Sequence, residues 1–271
     1  MRRPVNSNVM HHYMNIRAFS LICLFLSVQA SAEDQSIADL FTKQEVSGTI
    51  VISSLRGGET FIHNDFRAAQ RFSPASTFKI LNTLISLEER AISRNGEVMM
   101  WDGKIHDLPD WNRDQTLESA FKVSCVWCFQ QMAKEVGVEK YRAYLSKAEF
   151  GELSVPFEVT TFWLDGSLKV SALEQVALLK KIYRRTLPFS ASSYEALSDV
   201  MLVEKTGSYA LRAKTGWATR MTPQVGWYVG YVEKSDDVWF FATNVDIRNQ
   251  EDLPVRQKVT RDALQVKGII P

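Results

Sequence analysis

Phe72-Ser73-Pro74-Ala75-Ser76-Thr77-Phe78-Lys79 is the stretch around which the chain is organised. Pro74 interrupts what precedes it. Phe78, Ile80, Leu81, Leu84, Ile85 and Leu87 then recur at helical spacing, which predicts a helix from Ser76 to about Arg90. Ser76 falls in the first turn of that helix, with Lys79 one turn later on the same face. A serine hydroxyl is a poor nucleophile until a base takes its proton. An amine stripped of water can be that base, because desolvation disfavours the ammonium form. The free N–H groups and the positive dipole at a helix start also suit a developing oxyanion. The same spacing recurs at Ser119-Ala120-Phe121-Lys122, inside a helical pattern with no breaker before it. There Lys122 reads as a solvated charge on a helix face.

The first 32 residues differ from the rest. Arg2, Arg3 and Arg17 precede an apolar run over 18–28, and Ala30-Ser31-Ala32 comes after it. A charged start, a short apolar core and a small-x-small site predict export and cleavage after Ala32, with release into the periplasm. The run is well short of the roughly 20 residues needed to span a bilayer, so no membrane attachment is expected afterwards. Ile22 before Cys23 also argues against a lipoprotein site.

Without Arg2, Arg3 and Arg17, the 32 Lys and Arg become 29 against 31 Asp and Glu. A net charge near −2 gives no electrostatic case for nucleic acid or an anionic membrane. Two cysteines remain, Cys125 and Cys128. Their C-x-x-C spacing admits redox or zinc chemistry. However, they lie in a helical pattern with no second Cys/His pair nearby, and two buried thiols on a core helix is the expectation. No metal is expected.

Strands are predicted over 48–53 and 59–63, flanking Arg56-Gly57-Gly58 as a hairpin turn. Loop character covers 95–114. Thr116 caps a helical stretch through Gln131, which Gly137 ends, and another helix covers 138–148. Ser171-Ala172-Leu173-Glu174 is a capping box opening a helix to Arg185, and 193–203 reads as a further short helix. Strands return over 209–214, 225–233 and 238–245, rich in Val, Tyr, Phe and Trp, and Pro254 starts a last helix. Strands at both ends and helices between them predict an α+β fold: one antiparallel sheet built from both termini, packed by helices, with a mainly helical inserted region. A site would lie between sheet and helices.

In that arrangement a serine on a helix and a Lys-Thr-Gly on a strand can converge on Ser76. Ser124-Cys125-Val126 supplies the first, and Lys214-Thr215-Gly216 the second. The copy at Lys205-Thr206-Gly207 sits between a helix and a strand, where Gly207 fits a turn. A glycine after the threonine lets a substrate backbone lie along the strand.

Ser76-Thr77-Phe78-Lys79, Ser124-x-Val126 and Ala213-Lys214-Thr215-Gly216-Trp217 resemble the motifs of class D serine β-lactamases, the oxacillinases. So do Trp101-Asp102-Gly103, Trp111-Asn112, Phe162-Trp163-Leu164, Val225-Gly226-Trp227-Tyr228-Val229-Gly230 and Leu253-Pro254-Val255-Arg256. The resemblance covers about 65–268 and implies a single catalytic domain over 33–271 with a penicillin-recognising fold. It implies that Ser76 is the acylated nucleophile and that Lys79 is the general base, N-carboxylated with carbon dioxide or bicarbonate as the source. Val126 and Leu164 would surround that lysine, and Trp163 would donate its indole N–H to the carbamate. Ser124 would relay a proton to the lactam nitrogen, supported by Lys214. The amides of Ser76 and Trp217 would form the oxyanion hole. Arg256, with Thr215 and Gly216, would bind the substrate carboxylate. The implied partner is a small-molecule β-lactam, on a monomer or a homodimer.

One motif departs. Phe150-Gly151-Glu152 stands where the family usually has Tyr-Gly-Asn, so no catalytic role is carried over to it; the Glu152 carboxylate is expected to point to solvent. Two rival functions share these motifs. A membrane-bound β-lactam sensor would need transmembrane helices, which the sequence lacks. A transpeptidase generally carries a polar residue at the third position of the second motif, where Val126 sits.

Overall fold

The computed structural model describes Met1, 33–93 and 96–271, so the expected leader lies, except for Met1, outside the described residues. Chain order is α1 (Gln35–Lys43), β1 (Gly48–Ser54), β2 (Thr60–His63), α2 (Asp65–Ala69), a 3-10 turn (Ala75–Phe78) continuing as α3 (Lys79–Glu88), a second 3-10 turn (Pro109–Trp111), α4 (Leu117–Lys122), α5 (Val126–Val136) and α6 (Val138–Ala148). Then come β3 (Glu152–Leu153), β4 (Leu168–Lys169), α7 (Ala172–Tyr183), α8 (Ala191–Val200), β5 (Leu202–Lys205), β6 (Ala210–Ala218), β7 (Gln224–Glu233), β8 (Val238–Ile247), a third 3-10 turn (Gln250–Asp252) and α9 (Val255–Val266).

The sheet runs β2-β1-β8-β7-β6-β5, antiparallel throughout. Gly48 faces Val245 and Ser54 faces Trp239, so the N-terminal hairpin pairs with the last strand and both ends of the chain share one sheet. Side chains alternate across a strand. Ile50 and Ile52 therefore join the layer under α1 and α9, with Ile37, Phe41, Val259 and Leu264, while Val51 enters the larger core on the other face. Both faces of β1 are buried, which is why Ile50-Val51-Ile52 at its centre are apolar in succession rather than alternating. α3 lies inside the larger core, with Lys79 to Ser86 all buried.

Three expectations are corrected. The helix predicted from Thr116 to Gln131 is two helices, α4 and α5, broken where Ser124 takes φ 57°. A serine carries no glycine-like signal for that conformation, so the break was not legible. The helix predicted over 193–203 ends at Val200, and Leu202–Lys205 is an edge strand paired to β6. Finally, Cys125 and Cys128 are not free thiols but a disulfide, with Cα atoms 5.5 Å apart. α1, α2 and the β3–β4 ribbon have no counterpart in the sequence reading.

Candidate active site

The turn carrying Ser76 is fixed from three sides. Ser73 Oγ and the Ala75 amide both donate to the carbonyl of Trp163, at 2.8 and 2.9 Å. Trp227 Nε1 donates to the carbonyl of Ser73 at 3.0 Å. Thr77 Oγ1 donates to the Pro74 carbonyl and accepts from Gln175 Nε2, each at 2.7 Å. Ala75 takes φ 47°, and such backbone costs about 1–3 kcal/mol unless the surroundings impose it. β6 then packs directly on this turn. A Cβ at Gly216 would meet the Pro74 carbonyl oxygen and Thr77 Cγ2 at 3.0 Å, so the third residue of Lys214-Thr215-Gly216 has to be small.

Lys79 is fully buried, with Nζ 3.1 Å from Ser76 Oγ and 4.9 Å from the centre of the Phe129 ring. Burial first, and then the positive charge of Lys214, hold its pKa well below the usual lysine value. Phe78 stacks on Trp163 beside it, with ring centres 5.6 Å apart. The indole Nε1 of Trp163 is buried with no hydrogen-bond partner among the described residues.

Ser124 sits at the corner between α4 and α5, and Lys214 Nζ donates to its hydroxyl. Lys214 Nζ also reaches the Thr215 carbonyl at 3.2 Å and lies 5.5 Å from the centre of the Phe121 ring. Burial, and then the charge of Arg256, push its pKa down to about 7. Arg256, one residue into α9, is buried, and burial pushes its pKa down to about 10. Its Nη1 donates to the Gly216 carbonyl at 2.7 Å.

Ser76, Ser124, Thr215, Gly216 and Arg256 open into one cleft of about 890 Å³, with Val126, Leu164 and Trp217 on its walls. The three motifs named in the sequence thus converge, and the copies do not. Ser119 is spent in a capping box with Thr116, donating its hydroxyl to Gln115 Oε1 at 2.7 Å. Lys122 is exposed at the rim of the cleft. Lys205-Thr206-Gly207 lies at the β5–β6 turn, where Thr206 Oγ1 accepts from the Tyr209 amide at 3.1 Å. Phe150 is buried, while the Glu152 carboxylate is exposed and pairs with Arg71 at 3.0 Å. Sequence reasoning missed Phe121 and Phe129, the rings against the two lysines; as apolar helix residues they carry no signal that separates them from ordinary core.

Among the described residues no group of three His, Cys, Asp or Glu is placed to hold a metal ion, and no helix is long and apolar enough to cross a membrane.

Residues 48–265 match the family described as Penicillin binding protein transpeptidase domain. Beta-lactamase OXA-48 of Klebsiella pneumoniae is 37% identical over 265 residues, covering 95% of this chain and 100% of that one. Beta-lactamase OXA-20 of Pseudomonas aeruginosa is 39% identical over 257 residues, covering 94% and 95%. Among solved structures, the class D β-lactamase FUS-1 (OXA-85) of Fusobacterium nucleatum subsp. polymorphum superposes with a TM-score of 0.85 at 36% identity, over 88% of this chain and all of that one. The class D enzyme YbXI from Nostoc gives 0.84 at 38% identity, over 86% and 98%. With motifs, fold and relatives in agreement along nearly its whole length, the chain belongs to the class D serine β-lactamases.

Proposed function

We propose that this protein hydrolyses the β-lactam amide of penicillins and related antibiotics through an acyl-enzyme on Ser76. One observation carries the reading: a fully buried lysine, Lys79, stands 3.1 Å from the Ser76 hydroxyl, and that hydroxyl shares a cleft with Ser124 and Arg256. An ammonium there would be costly, so burial favours the neutral amine, and a neutral amine is a base.

A neutral amine is also the form that adds carbon dioxide. The resulting anion needs a donor inside an apolar pocket, and Trp163 Nε1 is buried and unpartnered among the described residues. Lys79, Trp163, Val126 and Leu164 therefore fit an N6-carboxylated lysine. Bound there, the carboxyl group would supply a carboxylate-type base with two accepting oxygens for both halves of the reaction.

The Ser76 hydroxyl loses its proton toward Lys79 as Oγ attacks the lactam carbonyl carbon. The oxyanion is received by the Ser76 and Trp217 amides, the first at a helix start, the second on β6. The C–N bond breaks, and the nitrogen takes a proton through Ser124 Oγ, which Lys214 Nζ contacts. Thr215 and Arg256 hold the substrate carboxylate throughout. Water then attacks the ester carbon, gives its proton toward Lys79, and Ser76 leaves with its hydroxyl restored.

In this reading residues 1–32 are a leader removed on export to the periplasm, and 33–271 form the catalytic domain. The anchoring of Glu33 supports that boundary: its carboxylate contacts His63 Nδ1 and accepts from the Asn64 amide at 3.1 Å.

Hydrolysis of a chromogenic cephalosporin by the purified protein tests the proposal. Sustained turnover, with a transient adduct on the Ser76 peptide by mass spectrometry, is expected. A single equivalent of acylation that then stops would indicate a sensor-like module, and no reaction at all, or an adduct that survives in Ser76→Ala, would overturn the assignment.

A further inference from the structure

Ser124 does its work from an unfavourable backbone conformation, and the residues after it explain how that conformation is held. Its φ is 57°, in the left-handed region that a serine rarely occupies. The chain around it is tied at several points. The Ser124 amide donates to the Phe121 carbonyl at 3.2 Å and the Cys125 amide to the Ala120 carbonyl at 2.9 Å, while Trp111 Nε1 holds the Val123 carbonyl at 2.9 Å. The start of α5 is unusual for a helix. Cys125 occupies its N-cap, where Ser, Thr, Asp or Asn would normally accept from the free amides with an oxygen. Here the acceptor is sulfur, with the Cys128 amide donating to Cys125 Sγ at 3.2 Å. Sulfur is a weak acceptor.

The link that replaces the missing oxygen is covalent. Cys128 is the third residue of α5, the position that closes a capping box, and its sulfur is bonded to that of Cys125. Both residues are fully buried. We propose that the Cys125–Cys128 disulfide is a positioning element of the catalytic site, a covalent cap on α5 that keeps Ser124 in its left-handed conformation with its hydroxyl on Lys214. The proposal rests on the proton-relay role given to Ser124 above.

The geometry explains why a covalent cap suits this place. Ser124 is the residue immediately before the N-cap, so a frayed first turn of α5 frees ψ at 124 and φ at 125 together. A fraying turn would let Ser124 relax toward ordinary φ and carry its Oγ away from Lys214. Val126, one residue beyond the cap and on the cleft wall, would move with it. Forming the bond takes two electrons and two protons from the paired thiols. A disulfide-bearing oxidant of the exporting compartment supplies that exchange and is left as a dithiol. Once the chain has folded, burial shields both sulfurs from dissolved thiols, so the brace is set during folding rather than switched afterwards.

The test is a coupling measurement on the full protein, exported and folded. Alkylation in denaturant without reductant, followed by mass spectrometry, should find no free thiol at Cys125 or Cys128; two free thiols in protein that had been folded would overturn the proposal at once. Pre-steady-state acylation by a penicillin is then measured in wild type, Cys128→Ala, Ser124→Ala and the double variant, well below every melting temperature. Because a small misplacement of a reacting group costs one to two orders of magnitude, Cys128→Ala should lower the acylation rate roughly tenfold. In the Ser124→Ala background the same change should have almost no further effect. A merely structural disulfide lowers the melting temperature and leaves the acylation rate within about twofold, or adds its loss independently of Ser124; either result overturns the brace. If Ser124→Ala itself leaves acylation unchanged, the relay role fails instead, and the two failures are told apart. Should Cys128→Ala not fold, wild type refolded in dithiothreitol carries the same test: acylation should be slow while the thiols are free and recover when the protein is unfolded and refolded with oxidised glutathione. Full acylation by the reduced, folded protein would overturn the brace.

Discussion

Arg256 Nη1 donates to the Gly216 carbonyl at 2.7 Å, yet Arg256 Nε is buried with no hydrogen-bond partner among the described residues. One bond orients the guanidinium against β6 and leaves Nε without an acceptor among the described residues. A buried donor without a partner is expensive, and a carboxylate is the acceptor a guanidinium fits best. Arg256→Ala should therefore cost about 1.5–3 kcal/mol in kcat/KM for a penicillin, roughly 10- to 150-fold. An unchanged kcat/KM would make the arginine a structural tie between α9 and β6.

The two lysines have a cost that should be visible in stability. The pKa of Lys214 falls to about 7 in the folded protein, through burial and then the charge of Arg256, and that of Lys79 lies well below its usual value. An unfolded lysine titrates near 10.4. Between about 7 and 10.4 the unfolded chain thus binds the Lys214 proton and the folded one does not, and stability must rise with pH across that window. Below it both states are protonated and the penalty is present in full. Urea unfolding of wild type should gain up to about 1 kcal/mol per pH unit from Lys214 between pH ~7 and ~9. Lys214→Met should flatten that slope; equal slopes in the two proteins would mean that Lys214 stays charged.

Glu152, the acidic departure from the family's pattern, should be silent. Its carboxylate is 71% exposed and pairs with Arg71, which Glu174 also holds at 2.6 Å. Exposed pairs of this kind are worth about 0–1 kcal/mol. Glu152→Gln should leave kcat, KM and melting temperature near their wild-type values. A change in kcat of more than about fivefold, with stability unaltered, would place the glutamate in the electrostatics of the site.

How much of this could be read from the sequence depended on where each signal is written. α6 and the start of α7 were legible because breakers and caps are local: Gly137 precedes one, and Ser171 with Glu174 forms the box that opens the other. The sheet was legible because β7 and β8 are rich in β-branched and aromatic residues, and Ser76, Lys79, Ser124 and Lys214 because they sit in spaced motifs. The break at Ser124 was not, since a serine carries no signal for positive φ and one of the ties beside it, from Trp111 Nε1 to the Val123 carbonyl, comes from another part of the chain. Nor was the bond between Cys125 and Cys128, because a C-x-x-C in a helical pattern reads alike whether reduced or joined. Phe129 under Lys79 could be found only by folding α5 against α3.

Trp163 offers the sharpest test of the lysine chemistry. Its indole is fully buried, stacked on Phe78, with Nε1 unpartnered among the described residues. If Lys79 is carboxylated, that N–H has an anion to bond. If Lys79 stays an amine, the N–H remains an unpaired buried donor and the site bears the cost for nothing. Trp163→Phe keeps one aromatic ring and removes the donor, at the cost of some buried volume. Carboxylation should weaken, and deacylation should slow most, because the base beside Ser76 must also activate water. In wild type, carboxylation is reversible and needs the neutral amine, so acid should strip the group. Activity should fall below about pH 6 and return when bicarbonate is added near neutrality, while Trp163→Phe should need far more bicarbonate to reach its own maximum. Full activity in degassed, bicarbonate-free wild type, with no rescue after acid treatment, would leave Lys79 working as a plain amine.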